Sequence, residues 1–189
     1  MKKFLIGCLG ILVVLVIAAV VAIVAMPSEF SVTREKSVKG TPEAAYAIAG
    51  NLHDWPEWTF WSRAGDPTAT WDFSGEAAQP GHTMKWKGDT WGEGKIALTE
   101  CVPNEVLNYE LTFYSGGEGE TSTGSIRFDP AGESTNVVWT MEGELSGVGK
   151  LGGLFIDSVI GPMFELSLDG LDGQLTKAGD GEAAPADGE

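Results

Sequence analysis

Between residues 68 and 145 the chain is cut into short segments by the separators QPG, KGD, VPN, SGGEGE and DPAGE, all of them turn-forming. The six segments between them, about 68–74, 82–87, 91–101, 105–114, 121–129 and 135–145, alternate as strands do. Side chains in a strand point to opposite faces in turn. Trp71 with Phe73, His82 with Met84 and Trp86, and Leu107 with Tyr109, Leu111 and Phe113 each share a face. Ile126 pairs with Phe128 in the same way, and Val137 with Trp139 and Met141. Opposite them stand Thr70, Asp72, Lys85, Lys87, Asn108, Glu110, Arg127, Thr140 and Glu142. The chain is therefore committed to an antiparallel sheet with one wet face and one apolar face that something else must cover.

The cover is legible on both sides of the strands. Residues 147–177 carry a single helical stripe, Ile156, Ile160, Phe164, Leu168, Leu171 and Leu175. Gly161-Pro162 inside it is predicted to kink or split the helix. Upstream, Phe30–Val38 alternates as a first strand, and Thr41-Pro42-Glu43 has the chemistry of a helix start, with the helix ending near Gly50. The segment NLHDWPEWTFWSRAGDP, residues 51–67, places Trp55, Trp58 and Trp61 three residues apart, as a plug for one end of the sheet. The architecture is α+β: one strand, a short helix, six strands and a long helix over residues 30–177. Residues 178–189, AGDGEAAPADGE, have the composition of a disordered acidic tail.

Residues 4–26, FLIGCLGILVVLVIAAVVAIVAM, carry no charge over 23 residues. A helix of that length spans roughly 34 Å, enough for a bilayer core of about 30 Å, and exceeds a signal-peptide core of about 7–15 residues. No small-residue cleavage site follows, so residues 1–26 are expected to be an uncleaved transmembrane anchor. Leu5-Ile6-Gly7-Cys8 matches a lipobox, but its cysteine precedes the apolar core instead of following it. Lys2 and Lys3 flank the helix directly. The expected arrangement is a single pass through the inner membrane, N-terminus inside and domain outside, periplasmic in a Gram-negative cell. Pro27-Ser28-Glu29 is the whole linker, with a reach of roughly 10 Å.

Charge and composition exclude several functions. The formal charge is −15, with −13 on residues 27–177, which a phosphate backbone would repel. Nucleic acid is not an expected partner. Two cysteines, Cys8 and Cys101, cannot make a disulfide framework or a cysteine zinc finger, and His53 and His82 are too few for a histidine-rich site. The acidic pairs Glu118/Glu120 and Glu142/Glu144 lack calcium-loop spacing. No metal and no cofactor is expected.

Several motifs fall in a familiar order. FSVTREKSVKGTPEAAYAIAGNLHDWPEW has a strand, a T-P-E helix start and a W-x-x-W segment. Gly81-His-Thr-Met-Lys-Trp86 has the form G-x-x-x-x-W. Gly94 to Pro103 reads G-x-I-x-x-x-x-x-x-P. Thr135-Asn-Val-Val-Trp139 reads T-x-V-x-W, and Gly170-Leu171 supplies a late G-L. Over residues 30–177 the sequence resembles START-like (SRPBCC) domains of the polyketide cyclase/dehydrase type. The resemblance implies a helix-grip fold, a curved antiparallel sheet of about seven strands wrapped on the C-terminal helix with a hydrophobic cavity between them. It also implies binding of lipids, sterols, polyketides or similar apolar molecules, and it carries over no invariant catalytic motif. Two positions depart from the pattern: Lys36 stands where the first strand usually has an apolar residue, and Pro162 interrupts the roofing helix.

Strand parity places Trp71, Phe73, His82, Met84, Trp86, Tyr109, Leu111, Phe113, Trp139 and Met141 on the cavity side, with Ile160, Met163 and Ser167 above them. Apart from the indole N–H groups of its tryptophans, only His82, Tyr109 and Ser167 in that set offer hydrogen bonds. The first function this supports is a membrane-tethered carrier or sensor of an apolar small molecule or lipid. A cyclase/aromatase-like enzyme would have to use His82 or Tyr109 as its acid or base. A third reading is an interaction module whose large aromatic residues fill the interior outright.

Overall fold

The computed structural model describes residues 2–182, with side-chain surroundings for residues 10–18 and 20–180. Helix α1 (Lys2–Ala25) is followed by strand β1 (Glu29–Lys39), helix α2 (Pro42–Gly50) and the short helix α3 (Trp55–Trp58). Six strands come next: β2 (Thr70–Ser74), β3 (Thr83–Gly88), β4 (Gly92–Val102), β5 (Val106–Ser115), β6 (Glu118–Ala131) and β7 (Ser134–Glu144). A turn of helix, α4 (Lys150–Gly153), leads into the long α5 (Ile156–Glu182). The strands form one antiparallel sheet in the order β1-β7-β6-β5-β4-β3-β2, so every connection but the first joins neighbours.

The register confirms the alternation. Trp71 lies across from Trp86, Phe73 from Met84, Met84 from Ile96, Ile96 from Leu111, and Ile126 from Trp139. Thr41 caps α2 by accepting from the backbone N–H of Ala44 at 3.3 Å, with Pro42 in the first turn. The sheet's apolar face meets a single core containing Trp55, Trp58, Trp61, Trp86, Trp139, Phe128 and Phe164, closed by Leu168, Leu171 and Leu175 of α5. Phe164 is fully buried and stacks on Trp139, with ring centroids 5.1 Å apart.

Two expectations are corrected. Helix α5 runs through Gly161-Pro162 without a break; the bend, 57°, falls between Gly147–Gly153 and Ile156–Asp180. Pro162 lies in the second turn, where only one intrahelical bond is lost, and Gly161 leaves room beside it for the Arg34 guanidinium. The tail is helical as far as Glu182, since no proline interrupts it before Pro185; residues 183–189 lie outside the described residues. Among the described residues no single helix is long and apolar enough to cross a membrane. Within α1 the apolar stretch with described side chains is Gly10–Ala25, and the side chains of residues 4–9 lie outside the description.

Arg34 and Lys36 occupy inner-face positions of β1, opposite Trp139 and Val137. Both reach past the sheet to acidic residues of α5. Arg34 holds Asp157 in a two-pronged pair at 2.9 and 3.0 Å and Glu165 at 2.7 Å; Lys36 binds Asp169 at 2.6 Å. Asp157, Glu165, Asp169 and Asp172 share one flank of the helix, so these pairs set its orientation along the sheet edge. Because Phe164 fills the space against Trp139, Phe164→Ala should cost about 3–5 kcal/mol of unfolding free energy. Chemical denaturation of the purified chain checks this, and an unchanged midpoint would take α5 off the sheet.

Candidate functional site

The thirteen residues expected to line a cavity share the inner side of the domain, and the structure commits most of them to packing. Met84, Trp86, Tyr109, Leu111, Trp139, Met141, His82 and Ser167 are buried; Trp71, Phe73, Ile160 and Met163 are half-buried. Phe113, with 38% exposure, lies at the margin of the core, edge-on to Trp86.

The three polar members are each closed by the protein. His82 Nε2 accepts from the backbone N–H of Leu52 at 3.0 Å, which leaves Nδ1 to donate to the carbonyl of Ser74 at 3.1 Å. These bonds fix the neutral Nδ1–H form. Burial pushes the pKa of His82 down, and the neighbouring His53 adds to this. Tyr109 donates to the carbonyl of Thr140 at 3.1 Å and accepts from the Trp139 indole at 2.8 Å, and burial drives its pKa further up from an already high value. Ser167 donates to the carbonyl of Met163 at 2.7 Å and accepts from the N–H of Phe60 at 2.9 Å. A neutral histidine with both nitrogens occupied and a buried, hydrogen-bonded phenol are not free to exchange protons with a substrate near neutral pH.

Among the described residues two buried donors remain. The indole N–H groups of Trp58 and Trp71 are buried and have no acceptor, a costly arrangement in an apolar interior. Trp58 packs edge-on to Trp55 at 5.7 Å and against Trp139 at 6.4 Å. It also forms a wall of a cleft of about 440 Å³ between α2–α3 and the C-terminal half of α5. Ile48 and Ala178 supply further apolar wall; Asp54, Glu57, Gln174 and Lys177 complete the lining. None of the thirteen expected residues lines this cleft. Gly170 makes its geometry possible, since a Cβ there would overlap the Trp58 carbonyl oxygen.

Residues 29–176 match the family model for polyketide cyclase / dehydrase and lipid transport. The chain belongs to this family. Solved structures share the fold at low identity. Protein CV1439 from Chromobacterium violaceum aligns at a TM-score of 0.56 and 13% identity, over 77% of this chain and 96% of that one. SA2116, a protein of unknown function from Staphylococcus aureus, gives 0.61 at 14% identity, over 80% of this chain and 96% of its own. The di-domain ARO/CYC StfQ from the steffimycin biosynthetic pathway gives 0.63 at 12% identity, over 81% of this chain and 52% of that one. At these identities the likeness is one of fold. No curated protein matches the chain.

One buried carboxylate escaped the sequence reading. Asp66 is 1% exposed and accepts from the N–H and hydroxyl of Thr68 at 3.1 and 2.5 Å, and from the N–H groups of Thr90 and Trp91 at 2.8 and 3.0 Å. The Thr68 hydroxyl, then the backbone donors of Trp91, Thr90 and Thr68, bring its pKa down to about 2 against the upward push of burial. It pins the loop after the tryptophan segment to the β3–β4 turn. All four of its bonds go to that loop and turn. Among the described residues no group of three or more His, Cys, Asp or Glu side chains is placed to hold a metal.

The lowered pKa of His82 has a consequence for stability. The unfolded chain, with an ordinary histidine near 6.5, takes up the proton first. The stabilisation is thus complete above about pH 6.5 and is lost as pH falls through the folded value. The urea midpoint should drop between pH 7.5 and 5.5, and His82→Gln should shrink that drop. An equal drop in the variant would assign it to other groups.

Proposed function

We propose that this chain is a membrane-tethered binding domain for an apolar small molecule or lipid, and that it works without acid–base chemistry. The observation that carries the reading is the cleft whose apolar wall is Trp58, Ile48 and Ala178 inside a polar rim, with the Trp58 N–H, a donor without an acceptor, buried behind that wall. In the same interior His82, Tyr109 and Ser167 are all satisfied. A ligand with one acceptor oxygen and an apolar body, an acyl chain or a fused ring system, complements that wall. Family membership supports the same ligand class. The cyclase alternative has no free acid or base in His82 or Tyr109.

The tether is supported by the 24-residue helix α1 and by the exposure of Ile11 to Ile17, Val20, Val21 and Val24 along it. Lys2 and Lys3 at its start support an orientation with the N-terminus inside and the domain outside the inner membrane. The three residues between Met26 and Phe30 keep the domain at the surface, where lipids are the abundant apolar molecules.

Burying about 200 Å² of apolar ligand surface would supply roughly 5 kcal/mol before the costs of association, so micromolar affinity with little salt dependence is expected. Fluorescent fatty acids, sterols and polyaromatics titrated against the full chain should quench its tryptophans. Trp58→Phe, which keeps an aromatic ring but loses the donor and part of the indole surface, should weaken the best of them by about five- to tenfold. If every class fails to quench, the packed interior built on the Trp139–Phe164 stack is the better reading, and the domain is an interaction module.

A further inference from the structure

Helix α5 has two apolar faces. One, Phe164, Leu168, Leu171 and Leu175, is buried on the sheet. The other, Val159, Pro162 and Leu166, is led by Phe155 in the turn just before the helix, at spacings of four, three and four on the side away from the core, and all four are exposed. At 1.5 Å per residue this stripe is about 17 Å long. It continues backward across the 57° bend into Val148, Leu151 and Leu154. Val148 is 76% exposed, Leu154 66% and Phe155 65%, and it is their contiguity that marks an interaction surface. The stripe ends abruptly: beyond Leu166 the outer face of α5 carries Gly173, Lys177 and Asp180.

Two further observations say what covers it. The Lys150 ammonium donates to the carbonyls of Val24 at 3.3 Å and Met26 at 2.9 Å, so the patch begins where α1 ends. Across residues 148–166 the one cation is Lys150, and the two acids, Asp157 and Glu165, are both paired with Arg34. An apolar wedge with a lone cation, continuous with an apolar helix, matches the interface of a phospholipid bilayer.

We infer that Val148–Leu166 is a membrane-docking face, buried in the lipid interface beside α1 and laying the N-terminal half of α5 flat on the bilayer. The inference rests on the tether proposed above and adds the domain's orientation: the cleft at Trp58, Gln174 and Lys177, near the other end of α5, is held away from the lipid face.

The test uses the full chain in a Cys8→Ser, Cys101→Ser background, reconstituted into phosphatidylcholine–phosphatidylglycerol vesicles with doxyl-labelled lipid. Bimane is attached at Phe155→Cys, Val159→Cys or, as a control at the polar end of the same face, Asp180→Cys. Quenching at the first two positions should exceed that at the third by about threefold or more. Protein that floats with the vesicles but quenches equally at all three sites overturns the docking face and leaves the tether standing. Unquenched Val159→Cys thiols that cross-link between two chains give the face to a second copy and also overturn it. Protein that does not float with the vesicles removes the tether and the docking face together.

Discussion

Seven strands at about 4.8 Å spacing make a sheet roughly 29 Å across, whereas a helix with its side chains is about 10–12 Å wide. One helix cannot cover that face. Here α5 lies along the β1 side, α2 covers strands at one end, and the segment from Leu52 to Trp61 extends the cover toward β3. This geometric shortfall explains the aromatic composition. The plug has to fill a broad, shallow space with few residues, and indole rings bury the most area per position. Trp55, Trp58 and Trp61 fill it from above while Trp86 and Trp139 rise from the sheet, in tilted and edge-on pairs between 5.3 and 6.4 Å.

Placing the helix at an edge strand creates an electrostatic need. The inner face of β1 is partly wet where α5 rides beside it, so Arg34 and Lys36 serve there better than apolar residues would. Their aliphatic stems line the core and their charged ends reach the acidic flank of the helix. The Asp157 carboxylate is held below its ordinary range chiefly by its bonds to Arg34. Pairs of this kind are worth more as alignment than as stability, being open to solvent. They choose which flank of α5 faces the strand, while Phe164 and Leu168 decide that it packs at all.

The sheet was legible because its alternation is local: the expected and observed strands differ by one to three residues at most ends, and parity assigned the inner face from Trp71 to Met141. Features that depend on distant partners were not legible. Lys36 looks like a defect in a strand until Asp169, more than a hundred residues later, stands beside it. Asp66 gives no motif because three of its four donors are backbone N–H groups, which every residue type supplies. His82, Tyr109 and Ser167 looked like the polar lining of a cavity, since a sequence records which side chain can hydrogen-bond but not that Leu52, Thr140 and Met163 already do so. The unpartnered Trp58 could not be told from its neighbours Trp55 and Trp61, whose spacing is the same. The continuity of α5 through Pro162 was missed because a proline within a helix sequence carries no sign of how near the helix start it will fall.

Ser167 and Gly170 tie the tryptophan segment to α5: one accepts from the N–H of Phe60, the other makes room for the carbonyl of Trp58. The two elements, more than a hundred residues apart in the chain, therefore move as a single body. A helix joined to the sheet only by side-chain packing could slide or tilt by itself. Here any displacement of α5 is transmitted through two backbone contacts to the aromatic plug, so opening the interior on that side means shifting helix and plug together.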